Sequence, residues 1–335
     1  MVMDNKALVP AHLPRDHPLI TQEYSLYTQS IDDMVVKIAG WLDDQVDGGT
    51  VYGPSRFGKS SAVNNWLQSL LSERYRGFVP MVIWSHIDAG ANATIGRLCS
   101  HLLEASRHHL HRAPRSPEDR QRMLIERLAT LAMQGGGRFV VLVIDEAQGM
   151  TQREWLWLVQ IHSQLAQHRI RLCVISIASL QFFDEPVSMS LSGGAHVAAR
   201  FMLVSERFNG IRSCEELRFV MRGYDEGSEW PQNSGVSFTA SVAEKAWICG
   251  FRLQDHADTL WTVLNRELPE NYQGSIEFPM KTIAQVCRNI LLRVGGGADW
   301  DYLCKESALR SIVAASGHKQ LMALVGALAP RARLR

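Results

Sequence analysis

One stretch constrains this chain more than any other: Gly53-Pro54-Ser55-Arg56-Phe57-Gly58-Lys59-Ser60. It fits the spacing G-x-x-x-x-G-K-[ST], a loop that cradles phosphate groups. Its flanks agree with its letters. Thr50-Val51-Tyr52 before it is apolar enough for a strand. Ser61 to Leu71 after it reads as a helix, with Val63, Trp66, Leu67, Leu70 and Leu71 on one face. A strand–loop–helix of this kind aims backbone N–H groups and the helix N-terminus at an anion. Lys59 would reach the β- and γ-phosphates, and the Ser60 hydroxyl would hold Mg²⁺. Ser61 comes next in the same turn and is counted with the phosphate-binding residues. The expected ligands are ATP and Mg²⁺. An accidental glycine turn is the alternative, and the agreement of both flanks argues against it.

A second signal lies downstream. Phe139-Val140-Val141-Leu142-Val143-Ile144-Asp145-Glu146 is an unbroken apolar run ending in two acids. Such a run is what a central parallel strand looks like when both its faces are buried. Acids at its C-terminal end fall where α/β sheets bind ligands. Asp145 would position Mg²⁺, and Glu146 would accept a proton from an attacking water. The next apolar run, Arg171 to Ile177, should be another buried strand. Ser176 and Ser179 are both placed to sense a γ-phosphate at its end, and an ordinary strand-end hydroxyl is the competing reading. Arg200, in Val197-Ala198-Ala199-Arg200-Phe201, stands where ring-forming ATPases present an arginine to a neighbouring subunit's γ-phosphate. Arg207 is a second candidate, and for either one a salt bridge within the chain is the plainer account.

The remaining chain supplies context. The proline-punctuated residues 1–30 (Pro10, Pro14, Pro18) suggest an extended arm rather than a packed element. Residues 31–212 carry the α/β pattern, and residues 184–195, rich in Ser and Gly, read as a mobile loop. From 213 to 335 the pattern is helical, with segments near 213–223, 238–250, 253–268, 278–294 and 301–328, as a lid after an α/β core would be. Residues 94–131 form helices broken at Pro114 and Pro117. They bring together Arg97, Arg107, Arg112 and Arg115, either as a patch for a phosphate backbone or as a solvated helix face. The acid-rich first 47 residues are likewise a solvated face or a docking surface for a basic partner. The net charge of +1 leaves no bulk attraction for nucleic acid, so DNA binding would need such a local patch. Six well-separated cysteines give neither a zinc pattern nor a disulfide framework, which points to a reducing cytoplasm. No apolar run approaches the length of a membrane span.

Taken together, the Gly53–Ser60 loop, the Asp145-Glu146-Ala147-Gln148 box, the Arg200-Phe201 pair and the helical C-terminal region resemble the AAA+ ATPases of the TniB/TnsC type, over about residues 30–270. The resemblance implies an AAA+ P-loop ATPase core, a parallel sheet flanked by helices, with a C-terminal helical lid. It implies a bacterial regulator of DNA transposition that forms rings or filaments on double-stranded DNA, with ATP between neighbouring copies. The partners implied are a transposase and a target-selector protein of the TniQ type, and hydrolysis would disassemble the assembly. The DNA contacts would go to the phosphate backbone, for which Arg97, Arg107, Arg112 and Arg115 are the candidates. A helicase-loader or initiator-like ATPase and a signalling switch that does not bind DNA share the same motifs.

Overall fold

Apolar residues that run without alternation must be covered on both sides, and the strands of this chain are. In a computed structural model that describes residues 8–88, 90, 93–270 and 272–328, five strands pair in parallel in the order β2-β3-β4-β1-β5. They are β1 (Gly48–Tyr52), β2 (Met81–Ser85), β3 (Phe139–Asp145), β4 (Arg171–Ala178) and β5 (Ser205–Arg207). Residues Val140 to Asp145 of β3 and Leu172 to Ala178 of β4 are all buried. Register aligns Tyr52 with Ala178, Ile144 with Ser176 and Ser85 with Asp145. Because all strands run the same way, the residues after Tyr52, after Ile144 and after Ala178 emerge at one end of the sheet. That end is where ligands bind in such folds.

Contacts divide the chain into two compact units. The sheet unit comprises residues 31–55 and 59–208. Its core joins Leu142, Ile144 and Val174 to Trp155, Leu158 and Phe201, all at most 1% exposed. Each such side chain stabilises the fold by about 1.5–3 kcal/mol relative to an exposed one. The helix after β1 runs from 59 to 74, with a wider π turn at Val63–Leu67 between Lys59–Ala62 and Gln68–Arg74. Helix Gln152–Gln167 starts with a reciprocal cap between Thr151 and Glu154.

The second unit holds residues 1–30, 56–58 and 209–335, of which those described are helical wherever regular. Its principal helices are Cys214–Asp225, Ala257–Arg266, Met280–Gly295, Glu306–Ala315 and His318–Leu328. Leu217, Leu260, Phe278, Val286 and Ile290 form its core.

Several local expectations give way. The reading of residues 1–30 as an unpacked arm does not hold for the described part. Leu13, Leu19 and Leu26 are buried in the helical unit's core, and the Arg288 Nε donates to the Leu19 carbonyl. Irregularly spaced leucines among prolines carry no periodic signal, yet each can fill a core position. The Ser/Gly stretch at 184–195 is helical, not a loop, in pieces Glu185–Met189, Ser190–Gly194 and Ala195–Phe201. Gly193 sits there at φ 90°, which glycine adopts without strain. Burial of Met189, Val197 and Phe201 outweighs the weak local propensity. Pro117 begins helix Pro117–Gln134 rather than breaking one, with Ser116 as its cap. The segment near 301–328 is three helices, Trp300–Leu303, Glu306–Ala315 and His318–Leu328, the last two parted by Gly317 at φ 73°. The basic tail Arg331–Arg335 lies outside the described residues.

Candidate functional site

The loop after β1 is built so that glycine is required at its start. A Cβ on Gly53 would come 2.5 Å from the Phe208 carbonyl oxygen. Arg56 at φ 72° and Gly58 at φ 109° turn the loop through the left-handed region. By their contacts Arg56–Gly58 group with the helical unit, in which the Arg56 carbonyl accepts the Lys281 N–H at 3.2 Å.

Lys59 opens the helix, and its ammonium curls back over the loop. It donates to the Gly53 carbonyl at 2.7 Å and to the Pro54 carbonyl at 2.8 Å. Burial lowers its pKa to about 8, against the opposing pull of Glu146 and Asp145. A cation desolvated this far gains more from an incoming anion than a solvated one does. Ser60 and Ser61 are half-buried in the same first turn.

The acids stand at the end of β3. Asp145 is 4% exposed, and one of its oxygens, Oδ1, accepts the Glu146 N–H at 3.0 Å. Glu146 is exposed and holds a left-handed backbone, φ 57° and ψ 37°. A non-glycine residue in that region stores strain, a feature that clusters at functional sites. The Gln148 amide bridges onward, donating from Nε2 to Glu146 Oε2 and accepting the Ser179 N–H at Oε1, 3.0 Å away. At the end of β2, the His86 N–H reaches the Asp145 carbonyl at 2.9 Å, while its ring meets buried Glu154 at 3.2 Å.

The donor set suits magnesium with a triphosphate. A hydroxyl on Ser60 and a carboxylate on Asp145 are hard oxygen donors, and Mg²⁺ takes one or two such protein ligands plus phosphate oxygens and water. Among the described residues no three His, Cys, Asp or Glu side chains cluster as a metal cage. The helix N-terminus and the Lys59 ammonium supply the positive field that phosphates require.

Of the residues singled out in the sequence, Lys59, Asp145 and Glu146 lie close enough that both carboxylates act on the lysine. Ser176 is placed otherwise. It is fully buried within β4, on the face it shares with Val174 and Ala178, and its hydroxyl has no hydrogen-bond partner among the described residues. Ser179, one residue past the strand, stands at the sheet's end. Arg200 lies in the last turn of helix Ala195–Phe201, half-exposed and without a hydrogen bond or ion pair among the described residues, whereas its neighbour Phe201 anchors that turn against Trp155 and His162. Arg207 lies on β5, beside Tyr52. Arg97, Arg107, Arg112 and Arg115 are all exposed, and Arg112 pairs with Glu104 at 3.4 Å. Sequence reasoning passed over Gln148 and His86 as site residues. An amide two places after the acid was visible, but its partner at Ser179 is not visible until β4 is set beside β3.

Comparison with known proteins agrees with this architecture. Residues 45–183 match the family model described as an AAA domain. No curated protein matches the chain by sequence. Among solved structures, the Aeropyrum pernix ORC2 protein in its ADPNP–ADP complexes is similar at a TM-score of 0.51 and 11% identity, over 90% of this chain and 72% of that one. Cdc6p of Pyrobaculum aerophilum is similar at 0.43 and 13%, over 89% of this chain and 66% of that one. Drosophila ORC bound to DNA is similar at 0.49 and 11%, over 87% and 66%. At such identities the likeness is one of fold. With the match over residues 45–183, the chain has the AAA+ P-loop ATPase fold with a helical C-terminal region.

Proposed function

We propose that the chain is an ATPase whose nucleotide state governs its assembly on duplex DNA, in the manner of an initiator or helicase loader. The observation that carries the ATPase reading is the meeting of Lys59 with Asp145 and Glu146 at the C-terminal end of a parallel sheet. In this reading Gly53–Ser61 cradle the phosphates of ATP, and Lys59 exchanges its carbonyl partners for the β- and γ-phosphates. Ser60 and Asp145 would hold Mg²⁺, which would neutralise charge on the phosphates. Glu146, with one carboxylate oxygen engaged by Gln148 and the other free, takes the proton of the attacking water. Arg200 reaches the γ-phosphate of a neighbouring copy, which accounts for an arginine that makes no hydrogen bond or ion pair among the described residues of its own chain. Ser179, at the end of β4, is better placed than Ser176 for a sensing role.

The initiator-like role is favoured by the fold likeness to ORC2, a protein solved with ADPNP and ADP. The exposed Arg97, Arg107, Arg112 and Arg115 are the proposed backbone contacts. A second reading, a transposition regulator acting with a transposase and a TniQ-type selector, is favoured by the Asp145-Glu146-Ala147-Gln148 box with Arg200-Phe201. No helix among the described residues is long and apolar enough to cross a membrane. Electron microscopy with duplex DNA and a slowly hydrolysed ATP analogue tests the shared part. Rings or filaments that form only with both ligands support it, and a monomer under those conditions contradicts it. Co-purification then separates the two roles: a replicative helicase supports the first, a transposase the second.

A further inference from the structure

The Gln148 side chain makes two hydrogen bonds of opposite sense. Its Oε1 accepts the backbone N–H of Ser179 at 3.0 Å, and its Nε2 donates to Glu146 Oε2. A backbone N–H can only donate, so the amide must turn its oxygen to Ser179 and its nitrogen to the carboxylate. The polarity is thus set by the chain itself. The backbone around Glu146 is held as well. Its N–H goes to Asp145 Oδ1 at 3.0 Å, and its carbonyl accepts the Gly149 N–H at 2.9 Å. Its side chain is long, exposed and, among the described residues, hydrogen-bonded to Gln148 alone.

We infer that Gln148 is the positioning residue of Glu146, tying the carboxylate to the end of β4 at Ser179. The inference rests on the hydrolytic reading of the site given above. Its physical content is twofold. An N–H donor on one oxygen fixes the carboxylate's orientation and leaves the other oxygen free for the proton of water. The same amide makes the position of Glu146 follow that of Ser179, so any shift at the end of β4 moves the base. Without Gln148, the Glu146 side chain samples several rotamers, and few of them face the attacking water.

Steady-state ATP hydrolysis and ATP binding, measured on the full chain with Mg²⁺, test this. Gln148→Ala is expected to lower kcat by on the order of 100-fold while ATP affinity stays as in the wild type. Retained affinity also shows that the variant is folded. Gln148→Glu keeps an acceptor for Ser179 but sets a second carboxylate beside Glu146. It should lower kcat as Gln148→Ala does, because a second carboxylate repels the Glu146 side chain instead of holding it. On a Glu146→Gln background, Gln148→Ala should cost nothing further, since its effect passes through the missing carboxylate. An unchanged or raised kcat in Gln148→Ala, or a full additional loss on that background, overturns the inference while leaving the hydrolytic reading intact. A wild-type chain that does not hydrolyse ATP, or a Glu146→Gln variant that turns over normally, overturns the reading and this inference with it.

Discussion

Each unit of this molecule buries an aspartate, and the two are used differently. Asp225, 2% exposed in the helical unit, accepts the Thr239 hydroxyl at 2.7 Å, the Leu253 N–H at 3.1 Å and the Gln254 N–H at 2.9 Å. Burial nonetheless outweighs those bonds and holds its carboxyl above the usual range. Asp145, 4% exposed in the sheet unit, accepts the Glu146 N–H. A carboxylate whose acceptor sites are taken up by caps and a neighbouring hydroxyl is cement. One with acceptor capacity to spare, beside a desolvated lysine and a strained glutamate, is equipped to take a ligand. Three further buried groups of the helical unit are engaged as Asp225 is, although Thr282 Oγ1 and His318 Nδ1 have no partner among the described residues. His17 bonds Ser241 and the Leu19 N–H, His318 bonds the Leu264 carbonyl, and Glu277 bonds the Gly210 N–H. Burial and charge alone do not mark a site. What sets Asp145 apart is a carboxylate with spare acceptor capacity at the end of the sheet, beside the Lys59 ammonium.

The largest effect expected lies at Arg200. Arg200→Ala should cut hydrolysis by roughly 10³–10⁵-fold if it serves a neighbour's γ-phosphate. Mixing it with Lys59→Ala should restore part of the activity, because the two defects then fall on different copies; mixed assemblies with no recovery would confine Arg200 to a structural role. Next comes Lys59→Ala, which should weaken ATP binding by about 3 kcal/mol, roughly 100-fold in Kd, through loss of charge-assisted bonds to phosphate. Tight binding in that variant, read by calorimetry, would break the contrast between the units at its strongest point.

The two aspartates give a mirrored pair of outcomes. Asp225→Ala strands two backbone N–H groups and a hydroxyl, and should cost about 2–4 kcal/mol of stability in a denaturant titration, with ATP affinity of the folded protein unchanged. Asp145→Ala should lower Mg²⁺-dependent hydrolysis by about 100-fold while shifting the denaturation midpoint little. The reverse assignment of losses would overturn the comparison.

A smaller effect is expected from Lys59, whose pKa burial lowers to about 8. Phosphate favours the ammonium form, so the pKa rises on binding. Below about pH 8 the ammonium is already present and affinity is flat. Above it, binding must take up a proton, and affinity should fall by up to about tenfold per pH unit until the pKa of the complex is reached. Affinity flat from pH 7 to 9.5 would mean that Lys59 is as solvated as an ordinary lysine.

Much of this was readable in advance, for reasons that differ by region. The runs at 139–145 and 171–178 announced central strands because burial on both faces leaves no room for polar alternation. The placement of Lys59, Asp145 and Glu146 at one end of the sheet was legible because a strand–loop–helix and an apolar run ending in acids fix where those residues emerge. The packing of Leu13, Leu19 and Leu26 was not, since a core can accept leucines at any spacing once a chain is led past it. The helix over 185–201 was hidden by serines and glycines whose preferences tertiary burial overrides. Gln148 was in plain view, but its bond to Ser179 depends on β4 lying beside β3, a relation between residues 31 apart in sequence.

The central claim is that the end of the sheet carrying Lys59, Asp145 and Glu146 hydrolyses ATP. Its most direct test is phosphate release from ATP and Mg²⁺ by the wild-type chain and by Glu146→Gln, with ATP binding measured on both. The account predicts turnover in the wild type, a loss of about 10²–10⁴-fold in the variant and equal ATP affinity in the two. Equal turnover in both proteins, or no turnover in either despite tight binding, would contradict it.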